Sequence, residues 1–429
     1  MPDLKALLPL ETNTFNADPR GEEFASLTPQ FDIEMGNASW RRREDCRYLK
    51  PAKGEEIRFR AFVDGVQRTV MVGRFVSSVA PQVPLHAFEV VGGNVFRGED
   101  RRVRAANWVK MRGIVGPFAV AFEDEAYAKR VAEALEEALG VRVGVAEDLG
   151  EDPMLPLKER APELWVFDSS LVGIGGATGR LIEKEELYND ARVRLLALAK
   201  VAHARQVLEL GVHLALRAEE LGIDSKTLLP SLRARAGRED WVLHDGPLFF
   251  TRRRRRMMVQ ALGLSGGLLD KVVLGRTVGY VKSHRMRPED VEYVLKTPVG
   301  ALTCALAHRN LEPPDRYLKP EVLDPEDTRY DLDVYSFYLR MMRDEDLRRA
   351  RVGGTGLVRV QFGIPVLSAL GVEDANEAAR LLAPAVLRER VPMPPWRFQP
   401  YASAALELFL RGKLKESMTL RAEFTRFLA

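Results

Sequence analysis

Two short stretches carry the residues best suited to chemistry. Phe59 to Thr69 reads FRAFVDGVQRT, an apolar run that carries Asp64 and breaks at Gly65. Trp241 to Leu248 reads WVLHDGPL, a second apolar run that ends in Asp245-Gly246. Each pattern predicts a strand with a carboxylate at its end and a turn immediately after. A carboxylate at the end of a buried strand is costly unless a cation or donor waits there. Two such ends held side by side in one sheet make a divalent-metal site.

Other residues could serve that site. Arg252, Arg253, Arg254, Arg255 and Arg256 follow the second Asp-Gly stretch closely. Arginine pairs bidentately with phosphate and stays charged, so the run points to phosphate contact; a solvated charged surface is the alternative. Lys282 directly follows the strand predicted over Val272 to Val281 and could hold a scissile phosphate, or be an ordinary edge-strand lysine. Leu164 to Asp168 is a third apolar run ending in Asp, followed by the glycine-rich Gly173 to Gly179. That loop lacks both the Lys-Ser/Thr ending of a P-loop and the spacing of a dinucleotide fold.

The elements that must position these groups read as follows. Phe59 to Val70, Thr69 to Val79 and Leu85 to Phe96 are three strands joined by short connections, an antiparallel meander opening a mixed sheet. Residues 100 to 162 read as an inserted β-α-β lobe, with a strand over Gly113 to Phe122 and a helix over Glu123 to Leu139 that Gly140 ends. Glu183 to Leu221 is a long helix whose apolar positions keep a spacing of three and four, and it must pack on the sheet. Glu209 sits among those positions, either on the apolar stripe or one step off it. Val334 to Met342 and Leu357 to Val366 are paired strands, and Val372 to Leu387 and Tyr401 to Leu414 are covering helices.

Bulk properties bound the answer. At 429 residues, 46% hydrophobic and 29% charged, the chain reads as a soluble globular protein of two or three subdomains. No apolar run is long enough to span a membrane, and no signal peptide is visible. Two cysteines, Cys46 and Cys304, exclude a disulfide framework and a cysteine-based zinc site, and suit a reducing cytoplasm. The net charge is only +3, so the clustered arginines suggest an anionic partner at defined places.

In order and setting these motifs resemble the NurA nucleases, partners of the hexameric HerA translocase in processing broken DNA ends. Asp64-Gly65 is similar to the family's first Asp-Gly motif, and Asp245-Gly246-Pro247-Leu248 to its Asp-Gly-x-Leu motif. Val278 to Ser283 is similar to the strand that bears its lysine. The family's helix carboxylate falls best on Glu209, within ARQVLELGV, with Glu219 and Glu220 as alternatives. The closing Tyr-Pro-x-Pro-Leu run ending Ala-His is eroded to FQPYASAALELF, and Glu407 stands where the histidine would be. Asp168 imitates a catalytic strand end.

The resemblance implies an α/β, RNase H-like mixed sheet with covering helices and an inserted small α/β lobe. The nuclease core would span 58–99 and 163–414, after an N-terminal arm over 1–57 and before a C-terminal tail over 415–429. It implies a metal-dependent DNA nuclease, of single-strand endonuclease and 5′-3′ exonuclease type, in double-strand-break end resection. Two Mn²⁺ or Mg²⁺ ions about 3.5–4 Å apart would clamp the attacking water and the leaving oxygen. Asp64 would bridge them, Asp245 and Glu209 would complete the shell, Lys282 would neutralise the phosphate, and Arg252 to Arg256 would track the DNA backbone. A cytoplasmic homodimer docking on a HerA-type ATPase is implied as well. The alternative is a catalytically weakened DNA-binding subunit of the same repair complex.

Overall fold

The computed structural model describes residues 10–11, 32–33 and most of 48–428. Outside it lie the rest of the first 47 residues, 54–56, 81, 101, 105–106, 171–183, 233–235, 238, 249–251, 282–284, 287–292, 311–328, 342–355, 394–396 and 429. The loop predicted over Gly173 to Gly179, and nearly all of the arm over 1–57, therefore fall outside the described residues.

Strand β1 (Phe59–Phe75) pairs antiparallel with β2 (Val83–Phe96), which pairs antiparallel with β3 (Asn107–Gly116). Helix α1 (Tyr127–Leu139) and β4 (Val143–Val145) follow, and then β5 (Leu164–Asp168). The long α2 (Asp190–Leu216) leads to β6 (Trp241–Asp245), α3 (Arg252–Leu262) and β7 (Thr277–Val281). Strands β8 (Leu306–Asn310), β9 (Arg329–Arg340) and β10 (Leu357–Gly363) precede α4 (Ala375–Arg388), α5 (Tyr401–Arg411) and α6 (Ser417–Leu428).

One mixed sheet gathers these ten strands in the order β8-β9-β10-β7-β6-β1-β2-β3-β5-β4, and the Leu10–Glu11 pair adds an eleventh at the end of β1. β6 lies parallel to β1, and β7 lies parallel to β6. The chain thus makes an antiparallel meander, crosses by a long helix, and adds two parallel strands on the free side of β1. The pairing of β9 with β10 and the helices α4 and α5 agree with the sequence pattern.

Several boundaries differ from the sequence expectation. β1 does not turn at Gly65; it runs on for 17 residues to Phe75, so Thr69 to Val79 is not a second strand. The meander's third member is β3, inside the stretch 100–162. β3 pairs with β2 over nine consecutive residues, and β5 and β4 extend the same sheet, so this stretch continues the sheet instead of forming a separate lobe. The residues after Gly116 leave the sheet as a short helix, Phe118–Phe122. The C-terminal stretch 415–429 is no loose tail: α6 buries Leu420, Phe424 and Leu428 in a core cluster shared with Val70, Val72 and Phe75 of β1. Cys304 is disulfide-bonded, and Cys46 lies outside the described residues. Among the described residues no single helix is long and apolar enough to cross a membrane.

The two faces of the sheet carry different cores, as strand alternation requires. Ala61 and Val63 of β1 and Val242 of β6 pack with Ala204, Val207 and Leu208 of α2. Phe62, Val66 and Leu243 point the other way, to a core that contains Ala378 and Leu382 of α4 and Leu406 and Leu410 of α5. Helix α2 is buried on nearly every side from Gln206 to Leu216, which explains its weak amphipathic pattern.

His86 of β2 is buried within this sheet. Burial lowers its pKa from the ordinary 6.5 to about 4, and the Arg194 charge adds to the effect. The unfolded chain therefore takes up this proton at a higher pH than the folded chain does. The stability contributed by the neutral ring is complete above about pH 6.5 and is lost as the pH falls toward 4, at no more than about 1.4 kcal/mol per pH unit. Urea midpoints measured from about pH 7 down to about pH 4.5 should fall in the wild type and fall less steeply in His86→Gln.

Candidate metal centre

The parallel register of β1 and β6 sets Phe62 beside Leu243 and Val63 beside His244. One residue further along each strand come Asp64 and Asp245, on the face occupied by Phe62 and Leu243. Gly246 then takes φ 122°, a conformation open to glycine, and ends β6. Asp64 Oδ1 accepts from the N–H of Gly65 at 2.7 Å.

Helix α5 crosses this face. Leu406 and Leu410 are fully buried beneath it, each worth about 1.5–3 kcal/mol, and they fix its rotation. Glu407, about 100° round from Leu406, is carried to the flank of the helix beside the aspartates. Asp64, Asp245 and Glu407 each present a carboxylate oxygen, and the three oxygens lie within 4.8 Å of one another. The two aspartates are 6% and 8% exposed, so like charges meet in a poorly solvated place that favours a cation. Tyr280 of β7 stands opposite Asp245 in the sheet. Burial, with the Asp245 charge adding to it, keeps its phenol protonated well above the ordinary range.

Glu209 is not brought to this cluster. It lies on α2, which packs on the opposite sheet face, the face of Val63, Gly65 and His244. There its Oε1 lies 3.5 Å from Arg205 Nε and its Oε2 3.8 Å from His244 Nε2. His244 is neutral, its pKa lowered to about 4 by burial and by Arg205. Arg205 Nη1 also donates to the Gly65 carbonyl at 3.2 Å. Further along the same seam, His213 Nε2 is 3.1 Å from Thr277 Oγ1. The alternatives fare no better: Glu219 is exposed beyond the end of α2, and Glu220 pairs with Arg217 at 3.2 Å.

The remaining candidates separate as well. Asp168 ends β5, three strands from β1. Its oxygens accept from the backbone N–H groups of Ala119 and Ser170 at 2.8 and 2.7 Å. Burial raises its pKa against those hydrogen bonds. It ties the start of the Phe118–Phe122 helix to the strand end, which is structural work. The arginine run opens α3. Arg255 is held by Asp270 through contacts of 2.9 and 2.7 Å, and Arg256 is exposed. Lys282 and the side chains of Arg253 and Arg254 lie outside the described residues.

No model of a known protein family matches the chain, and no curated protein matches it significantly.

Gly65 is explained by the approach of α2, since it lies within a continuous strand. A Cβ built there would meet Glu209 Oε1 and come within 2.8 Å of Glu209 Cγ and 3.0 Å of Arg205 Cγ. Gly65→Ala should therefore cost about 1–3 kcal/mol. Paired with Glu209→Ala, it should cost less than the two single changes added together, with a coupling of about 1 kcal/mol in urea unfolding. Simple additivity would mean that the methyl group does not meet Glu209.

Proposed function

We propose that the chain is a divalent-metal-dependent nuclease of the NurA type, hydrolysing phosphodiester bonds in DNA. The observation that carries this reading is the convergence of Asp64, Asp245 and Glu407 within 4.8 Å. The antiparallel meander, the long α2 and the two added parallel strands support an RNase H-like core. Asp64 and Asp245 are the residues of the two Asp-Gly motifs, and Glu407 stands where the eroded closing motif would have its histidine.

The donor set fits a hard cation. Three carboxylates supply only oxygen, which suits Mg²⁺ or Mn²⁺. Asp64, Asp245 and Glu407 would hold the ion. When bound, it would supply charge neutralisation at the phosphate and a more acidic water. The two-ion arrangement expected from the sequence relied on Glu209, which lies across the sheet, so the three carboxylates are read here as the holders of a single ion.

The protein's own contribution is placement. β1 and β6 fix the two aspartates through backbone pairing, and α5 is held by its buried leucines. Tyr280, kept protonated by burial and by Asp245, remains a neutral hydroxyl in the same layer. Activity on single strands and 5′ ends, homodimer formation and docking on a HerA-type ATPase are carried over from the family resemblance as part of this proposal. A DNA-binding subunit without catalysis is the rival reading.

Cleavage of labelled single- and double-stranded DNA with Mn²⁺ decides between them. Asp64→Asn and Asp245→Asn should each lower the rate by about 100-fold or more. Glu407→Gln should weaken Mn²⁺ binding and slow cleavage by about tenfold or more. Glu209→Gln should keep wild-type Mn²⁺ affinity. DNA binding without any metal-dependent cleavage would favour the rival. Loss of Mn²⁺ binding in Glu209→Gln but not in Glu407→Gln would move the centre to the other sheet face.

A further inference from the structure

The carboxylate cluster carries an arginine. Arg411, one turn after Glu407 on α5, donates to Glu407 Oε1 from Nη2 at 2.9 Å and from Nε at 3.1 Å. Its side chain is 57% exposed and that of Glu407 25%, so the pair reaches from the cluster out to solvent. Both donors converge on one oxygen, instead of spreading over two as a fork-to-fork pair would. An exposed pair at this spacing contributes little to a helix and is easily given up.

A cation entering among Asp64, Asp245 and Glu407 competes with Arg411 for Glu407 and repels the guanidinium. With the three carboxylates ionised, the cluster and Arg411 together leave two negative charges, which a divalent ion cancels. Arg411, once released, matches the single negative charge of a phosphodiester. It already stands on the solvent side of Glu407, within reach of an incoming phosphate. Its planar, permanently charged fork suits phosphate oxygens.

We propose that Arg411 is exchanged between Glu407 and the substrate. It offsets one charge of the cluster when no cation is held, and binds the scissile phosphate once a cation has taken Glu407. This rests on the metal-dependent reading above and names the cation that would contact the phosphodiester in that site.

The test compares wild type, Arg411→Ala and Arg411→Lys in two measurements. Mn²⁺ affinity is read from loss of the free-ion electron paramagnetic resonance signal, with no DNA present. Cleavage of a single-stranded oligonucleotide is then followed at saturating Mn²⁺. Arg411→Ala should bind Mn²⁺ more tightly, by about threefold or more, because a competing positive charge is gone. It should cleave more slowly, by about tenfold or more. Arg411→Lys should recover part of the rate, since it keeps the charge and loses the fork. Effects of opposite sign on affinity and rate are what an exchange requires. If both quantities are unchanged, if both weaken, or if Mn²⁺ binds more tightly with cleavage unaltered, the inference is overturned while the nuclease reading stands. A wild type that binds no Mn²⁺ overturns both.

Discussion

The pairing register of β1 with β6 is the constraint on which the site depends. Val63 lies beside His244, so Asp64 and Asp245 follow as neighbours on one face. A strand shows alternate residues to opposite sides, and a slip of one residue would exchange the partners. His244 would then turn toward the open face, and Asp245 would be buried against Glu209. The register is specified at both levels, because Val242 must meet the α2 core and Leu243 the α5 core.

The same alternation divides the polar residues into two assemblies that stand back to back. On one face the carboxylates open through Glu407 and Arg411 to solvent. On the other, Glu209, His244, His213 and Thr277 are sealed beneath α2. The sealed side is where charge is least tolerated, and burial depresses the pKa of both histidines. Arg205 links the sides indirectly, reaching Glu209 and the carbonyl of Gly65 next to Asp64.

How much of this was legible in the sequence depended on what each signal could encode. Asp245-Gly246 was read correctly, because Gly246 does adopt the positive φ that a turn signal implies. Asp64-Gly65 has the same letters for a different reason: its glycine clears space for a packed helix, and the strand continues. The apolar spacing of α2 marked a buried helix, yet periodicity along one helix cannot say which face of the sheet receives it. Glu209 was therefore drawn to a site that lies on the other side. Glu407 was noted only as standing where the histidine of the resembled family would be, and its approach to the aspartates is set by long-range packing of α5. The β-α-β pattern of 100–162 found the helix, but the strand expected over Gly113 to Phe122 lies at Asn107–Gly116 and gives way to a short helix, and membership of the main sheet depended on edge pairing with β2. The five arginines open α3, where Arg255 is taken up by Asp270 and Arg256 is exposed.

The three carboxylates come from β1, β6 and α5, and about four fifths of the chain's 429 residues separate Asp64 from Glu407. Such contacts form late and are expensive in loop closure, so the site is completed with the fold and cannot precede it. A chain still being synthesised, or one cut before residue 401, contains both aspartates but not the third carboxylate.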